Sequence, residues 1–397
     1  MSITYTATDE MGRPVSYRDR KRWAWGLSVV YPLLPFLGLW AHQASGQPLA
    51  LGLPLLISYG LMPLLDALIG EDQNNPPEAV VPALMADRYY RWLTWVTVPL
   101  HFVALIGCAW WAGTQDLPWW ALLLLAYVAG TDAGLGLNTA HELGHKHNRV
   151  EQGLARLVLA VPAYGHFTVE HGRGHHRWVA TPEDHASSRM GESIYRFALR
   201  ELPGGVRRAW VLERDRLRAL GRPVWSWHNT LLQSYAVTLL LQGTLIAAFG
   251  GVMVVFLLVH NLVAWWQLTS ANYIEHYGLL RQRLPSGAYE APQPHHSWNT
   301  NHLVTNLATF HLQRHSDHHA HPSRRYQCLR HFTDLPQLPS GYFGMFPLAY
   351  LPRLWFRVMD PRLLALPQVR GDLSRVNVDP RARARLQARY GCADPAP

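Results

Sequence analysis

The chain is poor in cysteine and in lysine, and both shortages exclude classes of site. Only three of its 397 residues are cysteines (Cys108, Cys328 and Cys392), and no C-x-x-C pair occurs. Thiolate zinc sites, iron–sulfur clusters and a disulfide framework are therefore not indicated. Lysine occurs only at Lys21 and Lys146, so arginine carries almost all of the positive charge behind the net charge of +9.

The N-terminus also lacks the features of a signal peptide. About twenty polar residues precede the first apolar run, and no small-residue cleavage site follows a short apolar core. The first apolar segment is therefore expected to stay in the protein as an anchor.

Long apolar runs are abundant, and each needs about 20 residues to cross a bilayer. Six segments meet this length approximately: 23–41, 48–70, 92–112, 118–137, 231–249 and 252–268. The short links at 42–47, 113–117 and 250–251 contain no lysine or arginine, whereas the longer segments are rich in arginine. The positive-inside rule then predicts that both termini and all long segments are cytoplasmic.

These observations predict an all-α integral membrane protein with a single membrane-embedded domain over residues 1–397. Six transmembrane helices would carry a cytoplasmic helical cap, formed by segments 139–230 and 270–370. The polar, arginine-rich tail at 371–397 is expected at the surface.

Histidine is the most informative residue in the chain. Nine of the 22 histidines lie in four clusters, HELGHK, EHGRGHH, NYIEHYG and LQRHSDHHA, and two of these clusters directly follow apolar segments. Spacings of three and four residues place histidines on one face of a helix. Neutral imidazole suits iron, zinc, copper and nickel, so the pattern predicts a metal centre at the membrane boundary. Its predicted ligands are His141, His145, His171, His175, His176, His276, His315, His318 and His319.

Carboxylates accompany the clusters. Ligating histidines usually donate their second ring N–H to a carboxylate or a carbonyl. Glu142, Glu170, Glu275 and Asp317 are close enough in sequence to support the ligands in this way. The other 13 histidines, including the adjacent His295 and His296, are interpreted mainly as structural.

Two rival interpretations use only part of this pattern. HELGH matches the H-E-x-x-H helix of zinc metalloproteases, but this accounts for His141, Glu142 and His145 alone. A haem carrier with two axial histidines would need isolated histidines facing each other inside the bilayer, whereas the clusters lie at its boundary.

The four clusters resemble the histidine boxes and the additional NYIEHYG signature of the membrane-bound non-haem di-iron alkane 1-monooxygenases. The resemblance extends from about Trp23 to Asp379 and places the chain in a superfamily shared with fatty-acid desaturases. It implies two non-haem iron ions held by the nine histidines. It also implies terminal hydroxylation of n-alkanes with dioxygen, and electrons from a rubredoxin that a reductase keeps reduced.

The resemblance further implies a location in the bacterial inner membrane, in contact with lipid and with the active site toward the cytoplasm. No nucleic-acid partner is expected. A desaturase-like lipid oxidase remains the main alternative. Ser58, a small residue within the second apolar segment, is a further hypothesis: it would leave room in the substrate channel for longer alkanes.

Overall fold

The structure is a computed structural model, and it describes residues 3–391; Cys392 lies outside them. Helices dominate it, and the described strands are two short ones, β1 (Thr4–Thr8) and β2 (Pro14–Arg18). They pair antiparallel across a turn that contains Gly12 in a left-handed conformation. The Tyr5 hydroxyl donates a 2.6 Å hydrogen bond to Asp87, so the hairpin is attached to the start of a long helix.

The helices follow in chain order. Those of the N-terminal part are α1 (Gly26–Val30), α2 (Leu34–Ser45), α3 (Leu53–Leu56), α4 (Met62–Ile69), α5 (Val81–Ala86), α6 (Arg88–Thr114) and α7 (Trp119–Gly144). The middle part contains α8 (Arg149–Ala160), α9 (Phe167–Glu170), α10 (His176–Trp178), α11 (Ile194–Ala219), α12 (Thr230–Phe249) and α13 (Val252–Glu275). The C-terminal part contains α14 (Leu303–Ala308), α15 (His315–Ala320), α16 (Tyr342–Ala349), α17 (Pro352–Leu364) and α18 (Arg383–Tyr390).

The prediction of an all-α membrane protein is confirmed. Among the described residues, five helical segments are long and apolar enough to cross a bilayer: Pro48–Ile69, Arg88–Thr114, Trp119–Gly144, Thr230–Phe249 and Val252–Glu275. The predicted first span at 23–41 is not among them. There α1 and α2 are joined by a 3₁₀ turn at Tyr31–Leu33 that contains Pro32, so a sixth span and the cytoplasmic cap stay predictions.

Helices α7 and α13 continue past the predicted ends of their apolar runs, from 137 to 144 and from 268 to 275. The polar residues in these extensions are buried, including Asn138, His141, Asn272 and Glu275. Hydropathy therefore marks the end of the apolar run but not the end of the helix. Both helices carry polar groups directly into the protein interior.

Close packing of α7 against α13 depends on two glycines one helical turn apart. A Cβ atom at Gly130 would lie 2.5 Å from the carbonyl oxygen of His260, and one at Gly134 would lie 2.5 Å from the Cβ of Gln267. Small residues at this spacing allow membrane helices to approach closely. The approach brings the ends of α7 and α13, with their polar residues, to one place.

The tail beyond Gly371 packs against the protein core and does not lie only at the surface. Val376, Val378, Ala382 and Leu386 are buried in the same core cluster as Tyr277. The Asn377 amide donates a 2.9 Å hydrogen bond to the carbonyl of Gly278. The few apolar residues of the tail are widely spaced, which explains why its composition alone suggested a surface segment.

Gly134→Val should separate α7 from α13, because the added side chain overlaps Gln267. Overpacking of this kind costs about 1–3 kcal/mol of folding free energy. Thermal unfolding in detergent should show a lower midpoint, together with reduced bound metal. Gly243→Val is the matched control on α12, since a Cβ there meets nothing within 4 Å. Equal midpoints and metal contents for the two variants would contradict this role of Gly134.

Candidate metal centre

The nine clustered histidines converge from four parts of the chain. His141 lies on the last turn of α7, and His145 directly follows that helix. His276 directly follows α13, and α15 carries the three histidines of the last cluster. The EHGRGHH cluster forms a π-helical turn at His171–His175 that leads into α10.

The π turn explains the unusual spacing of that cluster. A π-helix bonds residues five apart, so it brings positions i and i+5 close together. The Nε2 atoms of His171 and His176 accordingly lie 3.1 Å apart. His175 points to a different group of histidines, so one short turn contributes to two sites.

The nine side chains form two groups, each able to hold a metal ion. Within a group, one potential ligand atom from every member lies within 4.8 Å of the others. The first group has five histidines: His141, His145, His171, His176 and His318. The second group has four: His175, His276, His315 and His319.

Ring nitrogens in these groups lack ordinary partners. The buried Nε2 atoms of His141, His145, His175 and His318 make no hydrogen bond with any described residue. Buried polar atoms are nearly always hydrogen-bonded, so such a concentration of exceptions needs an explanation. A metal ion in each group would satisfy these nitrogens, and the residues therefore fit a metal centre.

Two hydrogen bonds also set the ring orientation that a metal requires. The Nδ1 of His175 lies 2.9 Å from a carboxylate oxygen of Asp184, and the Nδ1 of His276 lies 3.1 Å from the backbone oxygen of His296. An N–H donated to either acceptor leaves the Nε2 lone pair free for a metal.

Burial keeps most of these imidazoles neutral. It lowers the pKa of His145, His171 and His318 well below the usual value, with further lowering by neighbouring histidines. Burial likewise lowers the pKa of His276 to about 3. Burial also acts to lower the pKa of His175, but the Asp184 carboxylate beside it raises that pKa above its usual value. Neutral imidazole is the form that binds metal.

Asp184 is the supporting carboxylate that sequence reasoning missed. It is fully buried, accepts a 2.7 Å hydrogen bond from the Ser187 hydroxyl, and forms a 2.7 Å ion pair with Arg208. It lies in the TPEDHASS loop, outside every histidine cluster. No spacing rule connects it to His175, so only the folded chain reveals the contact.

The four predicted supporting carboxylates have other partners. Glu142 accepts from Lys146 at 3.0 Å and from the Tyr326 amide at 3.3 Å, and is therefore held by structural donors. Asp317 pairs with Arg324 at 3.1 Å. Their direct support of ligands stays a prediction.

Glu170 and Glu275 lie closer to the histidines. Glu170 pairs with Arg208, which in turn holds Asp184. Glu275 has one oxygen 3.4 Å from the Nε2 of His315, and its other oxygen accepts a 2.8 Å hydrogen bond from the Tyr342 hydroxyl. Of the four, Glu275 is the one whose carboxylate faces a clustered histidine directly.

A third group, Glu290 with His295 and His296, is geometrically close enough for a metal but chemically less suited. The backbone amide of Gln293 donates to the Nδ1 of His296 at 2.9 Å, so the neutral ring carries its hydrogen on Nε2. That nitrogen lies 3.3 Å from Glu290 and faces it as a donor. The tautomer favours a hydrogen bond here, with no lone pair left for an ion.

A largely apolar cavity adjoins the histidines. It follows α7 from Thr131 to His141, a length of about 15 Å at 1.5 Å per residue. Leucine and phenylalanine side chains form much of its apolar surface, including Leu135, Leu268, Leu312, Phe343 and Phe346. Three clustered histidines, His141, His171 and His315, line its metal end.

Ser58 lies beside this cavity rather than in it. It is buried on a π-helical turn at Ile57–Leu61, where its hydroxyl contacts that of Tyr31. It lines a smaller neighbouring pocket, and Thr131 belongs to both spaces. The predicted effect of Ser58 on chain length therefore depends on this connection near Thr131.

Asp184→Asn should weaken metal binding, because the amide no longer stabilises the correct tautomer of His175. Loss of such a partner typically costs about 10–100-fold in metal affinity or activity. Competition with a chelator, followed by metal analysis, measures the change. Glu183→Gln is the matched control, since this neighbour is an exposed carboxylate that contacts Arg283 and Tyr289 rather than a histidine. A wild-type metal affinity in the Asp184 variant would contradict this assignment.

Comparisons with known proteins agree with this geometry. A family model described as fatty acid desaturase matches residues 117–349. An alkane 1-monooxygenase of Ectopseudomonas oleovorans is 53% identical over 376 residues, covering 94% of this chain and 93% of that protein. Alkane 1-monooxygenase 1 of Alcanivorax borkumensis is 53% identical, with 94% and 92% coverage. An alkane 1-monooxygenase of Pseudomonas putida is 53% identical, with 93% and 91% coverage.

Proposed function

Because this chain belongs to the fatty acid desaturase family and, within it, groups with the alkane 1-monooxygenases, we propose that it hydroxylates n-alkanes at a terminal carbon. The reaction would use dioxygen and a centre of two non-haem irons. The observation that carries this proposal is the partition of nine buried or half-buried histidines into groups of five and four at the end of an apolar cavity.

Iron is proposed as the metal because the donors are imidazoles without thiolates, and imidazole suits iron among other transition metals. Bound iron would supply the activation of dioxygen, which no side chain of the protein can perform. The nine ligands would be His141, His145, His171, His176 and His318 for one ion, and His175, His276, His315 and His319 for the other.

The cavity supports attack at the end of a chain rather than at its middle. It runs along α7 and reaches the histidines at one end only, between His141 and His315. An unbranched alkane lying in this space would present a terminal carbon to the metals. The apolar side chains exclude water and orient the substrate, while Tyr342 holds the Glu275 carboxylate at the metal end.

The reductant is proposed to be a rubredoxin, reduced in turn by a reductase. We also propose that the protein lies in the bacterial inner membrane with its metal centre toward the cytoplasm. The absence of lysine and arginine from the short links supports this orientation. An arginine-rich cytoplasmic side would attract an acidic electron carrier.

His315→Ala should remove a ligand of the second group and abolish alkane oxidation. Loss of a supporting partner alone costs about 10–100-fold, so loss of the ligand should cost at least about 100-fold. Metal content and 1-octanol formed from octane are the measurements. His321→Ala is the control, because this exposed histidine belongs to neither group.

Full metal loading and activity in the His315 variant would contradict the ligand assignment. An alkene in an acyl chain as the wild-type product would instead identify a desaturase-like lipid oxidase.

Ser58→Trp should shift the substrate range toward shorter alkanes, because the indole would extend from the small pocket toward Thr131. Relative rates over a series of alkanes of rising length measure the shift. Ser58→Ala is the matched control, since it adds no volume. An unchanged chain-length profile in the Trp variant would refute the hypothesis that Ser58 leaves room in the channel.

A further inference from the structure

A second, more polar cavity lies directly beside the apolar one. It is small, with room for about one water molecule, and part of its lining is polar and ionisable: Tyr164, His166, Glu170, His185 and Glu201. Four residues line both cavities: Phe167, His171, Leu268 and Asn272. The second cavity therefore borders the metal centre at His171 without being part of the apolar channel.

Glu201 is the unusual group in this cavity. It lies on α11 and is 4% exposed. Its carboxyl oxygens accept hydrogen bonds from the Thr269 hydroxyl at 2.8 Å and the Asn272 amide at 3.2 Å. Within residues 3–391 it forms no ion pair, whereas Glu213 on the same helix pairs with Arg216. Burial of a carboxylate without a cation favours its protonated form.

The surroundings of Glu201 bring its pKa close to neutral pH. Burial raises its pKa to about 7. The hydrogen bonds from Thr269 and Asn272 and the charge of Arg200 act to lower the pKa, while the charge of Glu170 acts to raise it. Glu201 is therefore protonated below about pH 7 and loses its proton as the pH rises above that value.

The other ionisable groups around the cavity are paired, hydrogen-bonded or buried. Glu170 is paired with Arg208, which also holds Asp184. His166 bonds the Tyr235 hydroxyl at 2.8 Å, and Tyr164 and His171 are buried beside it.

His185 is the ionisable member of the lining that is partly exposed. Its ring lies against Gly204 of α11, where a Cβ atom would be 2.5 Å away. Its partial exposure makes it the group of this lining that can exchange a proton with solvent.

A monooxygenase reaction needs protons at its metal centre. One oxygen atom of dioxygen enters a C–H bond of the alkane, and the other leaves as water. Each turnover consumes two protons and two electrons, and the electrons come from an external one-electron carrier: RH + O₂ + 2 e⁻ + 2 H⁺ gives ROH + H₂O. The apolar side chains that line the alkane channel cannot supply these protons.

We propose that Glu201 and the second cavity form the proton-delivery route to the metal centre, with His185 as the group that exchanges with solvent. Glu201 releases a proton toward the centre past Asn272 and His171, and a proton from solvent replaces it, so the residue is unchanged after each turnover. Glu201 touches neither the ligand nitrogens nor the alkane cavity, and is a positioning residue. This inference rests on the proposed function.

The test compares Glu201→Gln and Glu201→Asp with the wild type in the full-length protein. General acid–base groups contribute about 10²–10⁴-fold, so we expect kcat of the Gln variant to fall by at least about 100-fold with little change in KM or metal content. Electrons should be diverted to hydrogen peroxide, lowering the yield of alcohol per electron pair. The Asp variant should recover much of the rate.

Asp360→Asn is the matched control. Asp360 is also a buried carboxyl, with its pKa raised to about 6 and a 2.8 Å hydrogen bond from Tyr277, but it lines neither cavity. Its substitution should leave the pH profile of kcat unchanged. In the wild type, kcat should fall as the pH rises through about 7, since the donor form of Glu201 is lost, and this limb should vanish in Glu201→Gln.

An infrared pH titration of the purified full-length protein gives a readout independent of activity. The difference spectrum between the wild type and Glu201→Gln should contain a protonated-carboxyl band that titrates near pH 7. Absence of this band from the difference spectrum would overturn the proposal even if alkane hydroxylation is observed. Conversely, failure of the wild type to hydroxylate alkanes would count against the proposed function while leaving the band intact.

Two further results would also overturn the proton route. One is a Glu201→Gln protein with wild-type kcat, coupling and pH profile. The other is loss of metal in Glu201→Gln but not in Asp360→Asn, which would make Glu201 a structural support. If the Glu201→Gln protein cannot be produced, Glu201→Asp provides the test. A fall of kcat at the same pH in this variant as in the wild type would contradict the role of Glu201.

Discussion

The close approach of α7 and α13 is the constraint on which the rest of the structure depends. Gly130 and Gly134 leave no room for a side chain at this contact. His141, at the end of α7, and His276, which directly follows α13, both lie beside His315, with ring centroids 6.4 Å and 5.1 Å from its own. The same two helices form much of the apolar cavity, through residues from Thr131 on α7 to Glu275 on α13. One packing contact thus positions both the metal ligands and the substrate channel.

The convergence of nine buried or half-buried imidazoles has an electrostatic consequence that reaches beyond the ligands. Their nitrogens converge to distances such as 3.2 Å between the Nε2 atoms of His276 and His315. Protonation would place like charges together in a low-dielectric interior, so most of the rings stay neutral and are suited to metal. Asp184, Arg208 and Glu170 form the polar network on one side of this cluster. Glu170 of this network lines the second cavity together with Glu201 and His171.

Sequence analysis predicted the features that depend on local interactions and missed those that depend on residues distant in sequence. Histidine spacing along a helix is local, and so the sequence predicted which nine side chains would come together. Apolar length likewise predicted five of the membrane helices, although α7 and α13 continue where polarity suggested an end. Asp184 and Glu201 were not predicted, because each acquires its role from residues distant in sequence. The packing of Val376 and Val378 beside Tyr277 is likewise a tertiary effect that composition does not reveal.

The central claim is that the nine histidines hold two iron ions. Metal analysis of the purified protein, combined with its visible absorption spectrum, tests this most directly. The account predicts two iron atoms per chain and no Soret band. A single zinc ion without iron, or a haem spectrum, would contradict it.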